Sequence, residues 1–156
     1  MSLVLVHTTN PATTKAQKVL VVAAFAEVNV TSRHITVGVE NEEASYLRRC
    51  HPLGRLPVLQ TDEGYLFESN AIVRFIAHHD KSNTFLYGRT PFEASQVDMW
   101  LDFATTELDT IGINFIMNLF RGAEVPADQD TKASDALTGL EAWLETRTYL
   151  VGERLS

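Results

Sequence analysis

Cysteine is almost missing from this chain: Cys50 is the only one in 156 residues. A lone thiol excludes an internal disulfide and any CxxC redox or zinc pair, and it suits a reducing compartment. Cys50 itself reads as a small apolar residue closing a helix. Long apolar runs are missing too. None approaches the roughly 20 residues that cross a bilayer, so no membrane span is expected. The opening MSLVLVHTTN has no basic stretch before its short apolar run and no small-residue cleavage site after it. It reads as a first strand rather than a signal peptide, which makes the cytoplasm the expected location. Positive charge is scarce, with no cluster larger than Arg48-Arg49 and a formal net charge of -7. Such a field repels phosphate backbones, so direct nucleic-acid binding is not expected. Neither GxGxxG nor GxxxxGK occurs, which argues against a phosphate-cradling loop. The histidines, His7, His34, His51, His78 and His79, offer no i,i+4 pair with a third ligand, and no metal site is expected.

What is present is the composition of a folded protein, 45% hydrophobic and 21% charged, long enough for one full domain and part of another. Leu3 to Val6 is an apolar run fit for a buried strand, and Asn10-Pro11 then offers a helix N-cap followed by proline. The helix that runs to about Val28 carries VLVVAAFA, apolar nearly all round, which predicts cover on more than one face. Val30 to Val39 suits a second strand. Asn41-Glu42-Glu43 resembles the cap and first turn of a short helix ending near Cys50. Pro57 to Gln60 and Tyr65 to Glu68 form a hairpin across Thr61-Asp62-Glu63-Gly64. Ser69 or Asn70 then caps a helix with Ile72, Val73 and Ile76 on one face, ending at His79-Asp80.

Residues 81–89 form a polar connection. Thr90-Pro91-Phe92-Glu93 has the form of a capping box with proline at the first helical position. Val97, Trp100, Leu101, Ala104, Leu108, Ile111, Phe115 and Leu119 continue from it as one apolar stripe, which predicts a single helix of about 30 residues. A second helix, near Asp130 to Thr146, places Ala133, Leu137, Leu140 and Leu144 on one face. GINFIMNLF, residues 112–120, is apolar on more than one face, so it is either buried under further helices or presented to a partner. The organisation is thus β-α-β-α-β-β-α over residues 1–80, a linker at 81–89, and an all-helical unit, only partial, over 90–156.

Chemistry concentrates at the hairpin. Pro57 begins a strand, where its missing N–H costs least. If the Leu56-Pro57 bond is cis, the backbone of Leu56 faces out of the sheet edge and can pair with the cysteinyl backbone of a thiol tripeptide. Arg55 stands beside it. Further on, Ser69 sits at a helix N-terminus, where free N–H groups favour a carboxylate, while Glu68 can hold an ammonium. A γ-glutamyl group carries both charges on one carbon.

On Gly54 to Val58, Glu68-Ser69 and the helical second half, the whole chain resembles the cytosolic glutathione transferases. That resemblance implies a thioredoxin-like α/β unit followed by an all-α unit, glutathione or a related thiol as ligand held by Arg55, Leu56, Pro57, Glu68 and Ser69, and a homodimer. Transferases of this fold activate the thiol with serine, tyrosine or cysteine after the first strand. Residues 3–26 contain none of these, and Thr9 and Asn10 are the nearest candidates, with Lys15 adding positive potential. Within the superfamily, FESNAI at 67–72, Gln96-Val97 through Trp100 to Phe103-Ala104, and TRTYLVGER at 146–154 resemble the gamma-subunit family of eukaryotic translation elongation factor 1. This implies a scaffold for the beta-type exchange subunits, with an aminoacyl-tRNA synthetase as a further candidate partner. It also implies that more helices, a long tail and a second domain follow Ser156. A thiol transferase acting on small electrophiles is the alternative.

Overall fold

The computed structural model describes residues 2–9, 14–82, 84–109, 111–112, 118, 120–122, 124 and 127–156. The chain divides into two compact units, Met1–Leu86 and Tyr87–Ser156.

The first unit is built on β1 (Val4–His7), α1 (Thr14–Phe25), β2 (Thr31–His34), a 3-10 turn (Glu40–Glu42), α2 (Ala44–Arg49), β3 (Val58–Gln60), β4 (Tyr65–Phe67) and α3 (Ser69–His78). The four strands form one sheet in the order β2-β1-β3-β4. β2 lies parallel to β1, with Val4 opposite Thr31, whereas β3 runs antiparallel to both β1 and β4. Strand alternation separates two apolar faces. Val6 and Val58 pack with Ile35 and Tyr46 and are edged by Cys50, Leu56 and Tyr65. Leu5 and Leu59, partners in register, project the other way and are wholly buried. Burying each such side chain contributes about 1.5–3 kcal/mol. Helices α1 and α3 pack on one another, and Lys18 Nζ on α1 donates to Asn70 Oδ1 on α3 at 2.6 Å.

The element order matches the expectation, but four local readings change. The second strand is only Thr31–His34, because the chain turns after Ile35, whose N–H donates to the His7 carbonyl. Asn41 is not a helix cap. It is buried, accepts from Gly38 N–H at 2.6 Å and donates to the Gly54 carbonyl at 2.8 Å, so its amide joins two loops. The α3 cap is Glu68, with φ of 67° and no side-chain cap bond, rather than Ser69 or Asn70. Helix α1 buries one stripe, Ala16, Val19 and Ala23, and leaves Val21 and Phe25 half exposed, so its apolar outer face is not covered as expected.

In the second unit, α4 (Pro91–Phe103) starts at Thr90, whose hydroxyl accepts from Glu93 N–H at 3.1 Å. Glu93 Oε2 in return accepts from Arg89 N–H at 2.7 Å, one residue before the cap. The predicted long helix changes its winding rather than ending: Ala104–Asp109 is a π-helical segment, where the Thr105 hydroxyl donates to the Leu101 carbonyl, and the described residues 111, 112, 118 and 120 are helical again. Hydroxyls that bond back to the preceding turn loosen and bend helices. Phe115 and Leu119, with most of 112–120, lie outside the described residues. The next helix, α5 (Ala127–Leu144), buries Ala136, whereas Leu137, on the expected apolar face, is 58% exposed. Trp100 meets Phe103 and Trp143 edge-on at 5.2 and 5.3 Å between ring centroids, and Arg147 lies over the Trp143 ring. Trp143 Nε1–H donates to the Leu150 carbonyl, and Arg154 pairs with Glu93. The stretch TRTYLVGER therefore works as internal bracing. No helix among the described residues is long and apolar enough to cross a membrane.

Candidate functional site: a cleft at the cis-proline strand

The site is assembled at the entrance to β3. The Leu56-Pro57 bond is cis. The last β1–β3 pair is Val6 with Val58, so Leu56 lies just outside the ladder. Two side chains hold the approach to it. Tyr46 Oη donates to the Arg55 carbonyl at 3.0 Å, and the Asn41 amide holds the Gly54 carbonyl. Gly54 has φ of 63°, and a Cβ there would sit 2.7 Å from the Asn41 carbonyl oxygen, so the close approach requires glycine. Burial, helped at high pH by Cys50 once its thiol ionises and opposed by Arg33, leaves the Tyr46 hydroxyl pushed up to about 12, so it stays a donor at neutral pH.

Across the cleft, β4 ends at Phe67 and α3 begins at Ser69. Glu68 turns the chain between them with a positive φ, a conformation that non-glycine residues hold mainly at sites where the surroundings enforce it. Ser69 is buried at the first turn of the helix, among N–H groups that have no helical acceptor. Arg55, Leu56, Pro57, Glu68 and Ser69 line one small cleft, joined by Lys15 from α1 and by His51. All five residues expected to bind a tripeptide are thus brought together, although the hairpin separates them in sequence.

The expected thiol-activating pair is not joined to them. Thr9 is exposed after β1 and does not line the cleft, and Asn10 lies outside the described residues. His7, at the end of β1, is buried and engaged instead: its ring contacts the Thr8 carbonyl at 2.9 Å and Ser32 Oγ at 3.0 Å, and it meets His34 edge-on. Cys50 caps α2, as expected of a closing residue, and burial pushes its thiol up despite Arg33, Tyr65 and Arg49. A thiol held protonated is a poor nucleophile. Among the described residues no group of three metal-binding side chains forms.

His51 was not foreseen as a site residue. It is buried at 4% exposure, its ring is tilted 4.6 Å from that of Phe67, and its Nδ1 accepts from Leu53 N–H at 3.0 Å. The sequence signal was slight, a histidine four residues before Arg55 in the loop that leads to Pro57.

A mixed sheet flanked by helices, with a cis-proline strand facing a helix N-terminus, defines a thioredoxin-like domain. The family described as glutathione S-transferase, N-terminal domain, matches residues 1–78, and the chain belongs to that family. Two solved structures share the fold. A delta-class glutathione transferase of Nilaparvata lugens superposes with TM-score 0.85 at 24% identity, over 98% of this chain and 71% of that one. Glutathione transferase F2 of Populus trichocarpa gives 0.86 at 21%, over 99% and 75%. Among curated proteins, elongation factor 1-gamma of Trypanosoma cruzi is 54% identical over 156 residues, which is 100% of this chain and 38% of that protein. Elongation factor 1-gamma of Homo sapiens is 35% identical, over 95% of this chain and 35% of its own length. The chain thus spans well under half the length of the curated relatives it matches.

Proposed function

We propose that this chain is the transferase-like binding domain of an elongation factor 1-gamma-type subunit, a scaffold that anchors beta-type exchange subunits during protein synthesis in the cytoplasm. The observation that carries this reading is the 54% identity to the Trypanosoma cruzi protein across all 156 residues, both units included. Charge agrees with it: at -7 the domain offers protein-binding surfaces rather than a phosphate-binding one. An aminoacyl-tRNA synthetase is a second candidate partner, and a homodimer follows from the superfamily likeness. Co-precipitation of the full-length protein with the exchange subunits is the expected outcome, and failure to retain any of them refutes the scaffold.

The cleft supports an accessory reading, a binding site for glutathione or a related γ-glutamyl thiol. Leu56 offers its backbone to the cysteinyl unit, Ser69 and the α3 N-terminus take the α-carboxylate, and Glu68 takes the ammonium. Arg55 and Lys15 supply charge for the remaining carboxylate. The scarcity of thiol-activating groups places binding ahead of transfer to small electrophiles. Glu68→Ala and Ser69→Ala should each weaken glutathione binding and leave co-precipitation intact. Unchanged glutathione affinity in both variants refutes this use of the cleft.

A further inference from the structure

The two ring nitrogens of His51 are used unequally. Nδ1 accepts the Leu53 N–H, so in the neutral ring the proton resides on Nε2. Nε2 has no hydrogen-bond partner among the described residues, although the side chain is almost wholly buried. The ring lines the cleft beside Arg55, Glu68 and Ser69. With Nδ1 directed to the loop backbone and Phe67 against the ring, Nε2–H is the polar edge left for the cleft. Nε2 is not among the buried polar atoms closed off without a partner, so an acceptor brought by a ligand into the cleft can reach it.

We propose that His51 is a ligand-positioning residue, whose Nε2–H donates to a carboxylate or carbonyl oxygen of the γ-glutamyl thiol in this cleft. The inference rests on the accessory reading of the cleft given above. A γ-glutamyl tripeptide is rich in acceptors, with two carboxylates and two amide carbonyls against one ammonium. The cleft meets them with Lys15, Arg55 and the α3 N-terminus, and His51 adds a donor that carries no charge. Burial pushes the His51 ring below its ordinary value, Glu68 pulling it up and Arg55 pushing it down. The ring therefore stays neutral at pH 7, which keeps the Leu53 bond and the Nε2 proton together.

The test is calorimetric titration of the 156-residue chain with S-methylglutathione, using His51→Asn and His51→Gln. An Asn side chain can still accept from Leu53 N–H but does not reach the far edge of the ring. Its affinity should fall about tenfold, near 1.4 kcal/mol, while its Tm stays close to that of the parent. Gln, whose amide N–H extends toward the position of Nε2, should recover most of that loss. An Asn variant that binds as tightly as the parent overturns the proposal. A measurement on the parent guards against variants that fail to fold: the Nε2 nitrogen resonance of His51 should shift when the ligand saturates the site. Saturation with no such shift overturns the proposal while leaving the cleft reading intact. Absence of any binding by the parent overturns both.

Discussion

Gly54→Ala puts the architecture of the cleft to a quantitative test. The residue has φ of 63°, and an added Cβ would lie 2.7 Å from the Asn41 carbonyl oxygen, a backbone atom that cannot rotate away. The left-handed conformation costs an L-residue about 1–2 kcal/mol. Relieving the clash moves Asn41, whose side chain holds Gly38 N–H at 2.6 Å and the Gly54 carbonyl at 2.8 Å. Losing two such bonds adds about 1–3 kcal/mol. The sum is about 3 kcal/mol, which for a chain of this length lowers Tm by about 6–12 °C. Gly38→Ala is the control, because Gly38 has φ of 83° but nothing within 4 Å of its Cβ position. It should cost only the conformational term, about 1–2 kcal/mol. Urea titrations of both variants against the parent give the comparison. Equal losses refute the argument that the Asn41 contact, rather than backbone conformation alone, requires glycine at 54.

Two further outcomes concern ionisation. Tyr46→Phe removes the donor to the Arg55 carbonyl and should cost about 1 kcal/mol at pH 8. Because the Tyr46 hydroxyl is raised to about 12 in the folded chain, its contribution is complete below the unfolded value of 10.0 and fades as pH rises toward 12. The stability gap between parent and Phe variant, read from urea midpoints, should therefore narrow above pH 10; a constant gap refutes this. Asp80 closes the first unit by accepting from Ser82 N–H and Oγ–H, Thr84 Oγ1–H and Phe85 N–H. Burial pushes its carboxyl up, but the Ser82, Thr84 and Leu86 donors outweigh it and hold it below the usual 3.8. Its contribution is thus present above that value and lost as pH falls through the folded one. Asp80→Asn should cost about 1 kcal/mol at neutral pH, discounted for partial exposure, and nothing in strong acid. A cost that persists in acid refutes that assignment.

Much of the fold was legible because its signals are local. Short apolar or β-branched runs and the Thr61–Gly64 turn marked the strands, helical apolar spacing marked α3, and Thr90-Pro91 marked the start of α4, since each depends on a few adjacent residues. The misreading of Asn41 comes from a partner distant along the chain. Asn41 has the composition of a cap, yet Gly54 across the loop claims its amide. Leu137 fits a helical stripe, yet it is 58% exposed while its neighbour Ala136 is buried. The π-helical segment at Ala104–Asp109 follows from hydroxyl competition that spacing does not reveal.

For the cleft, the amino-acid order alone determined the proline-led strand, the Glu68-Ser69 step into α3 and the absence of serine, tyrosine or cysteine from residues 3–26. These are properties of residue type and neighbour, such as the missing N–H of proline and the open donors of a first helical turn. Tertiary structure alone decided that Lys15 and His51 belong to the cleft and that Thr9 stands apart from it. Those outcomes depend on which surfaces the sheet brings together. Phe67 and the Leu53 backbone bury and orient His51, and no spacing along the chain encodes that contact.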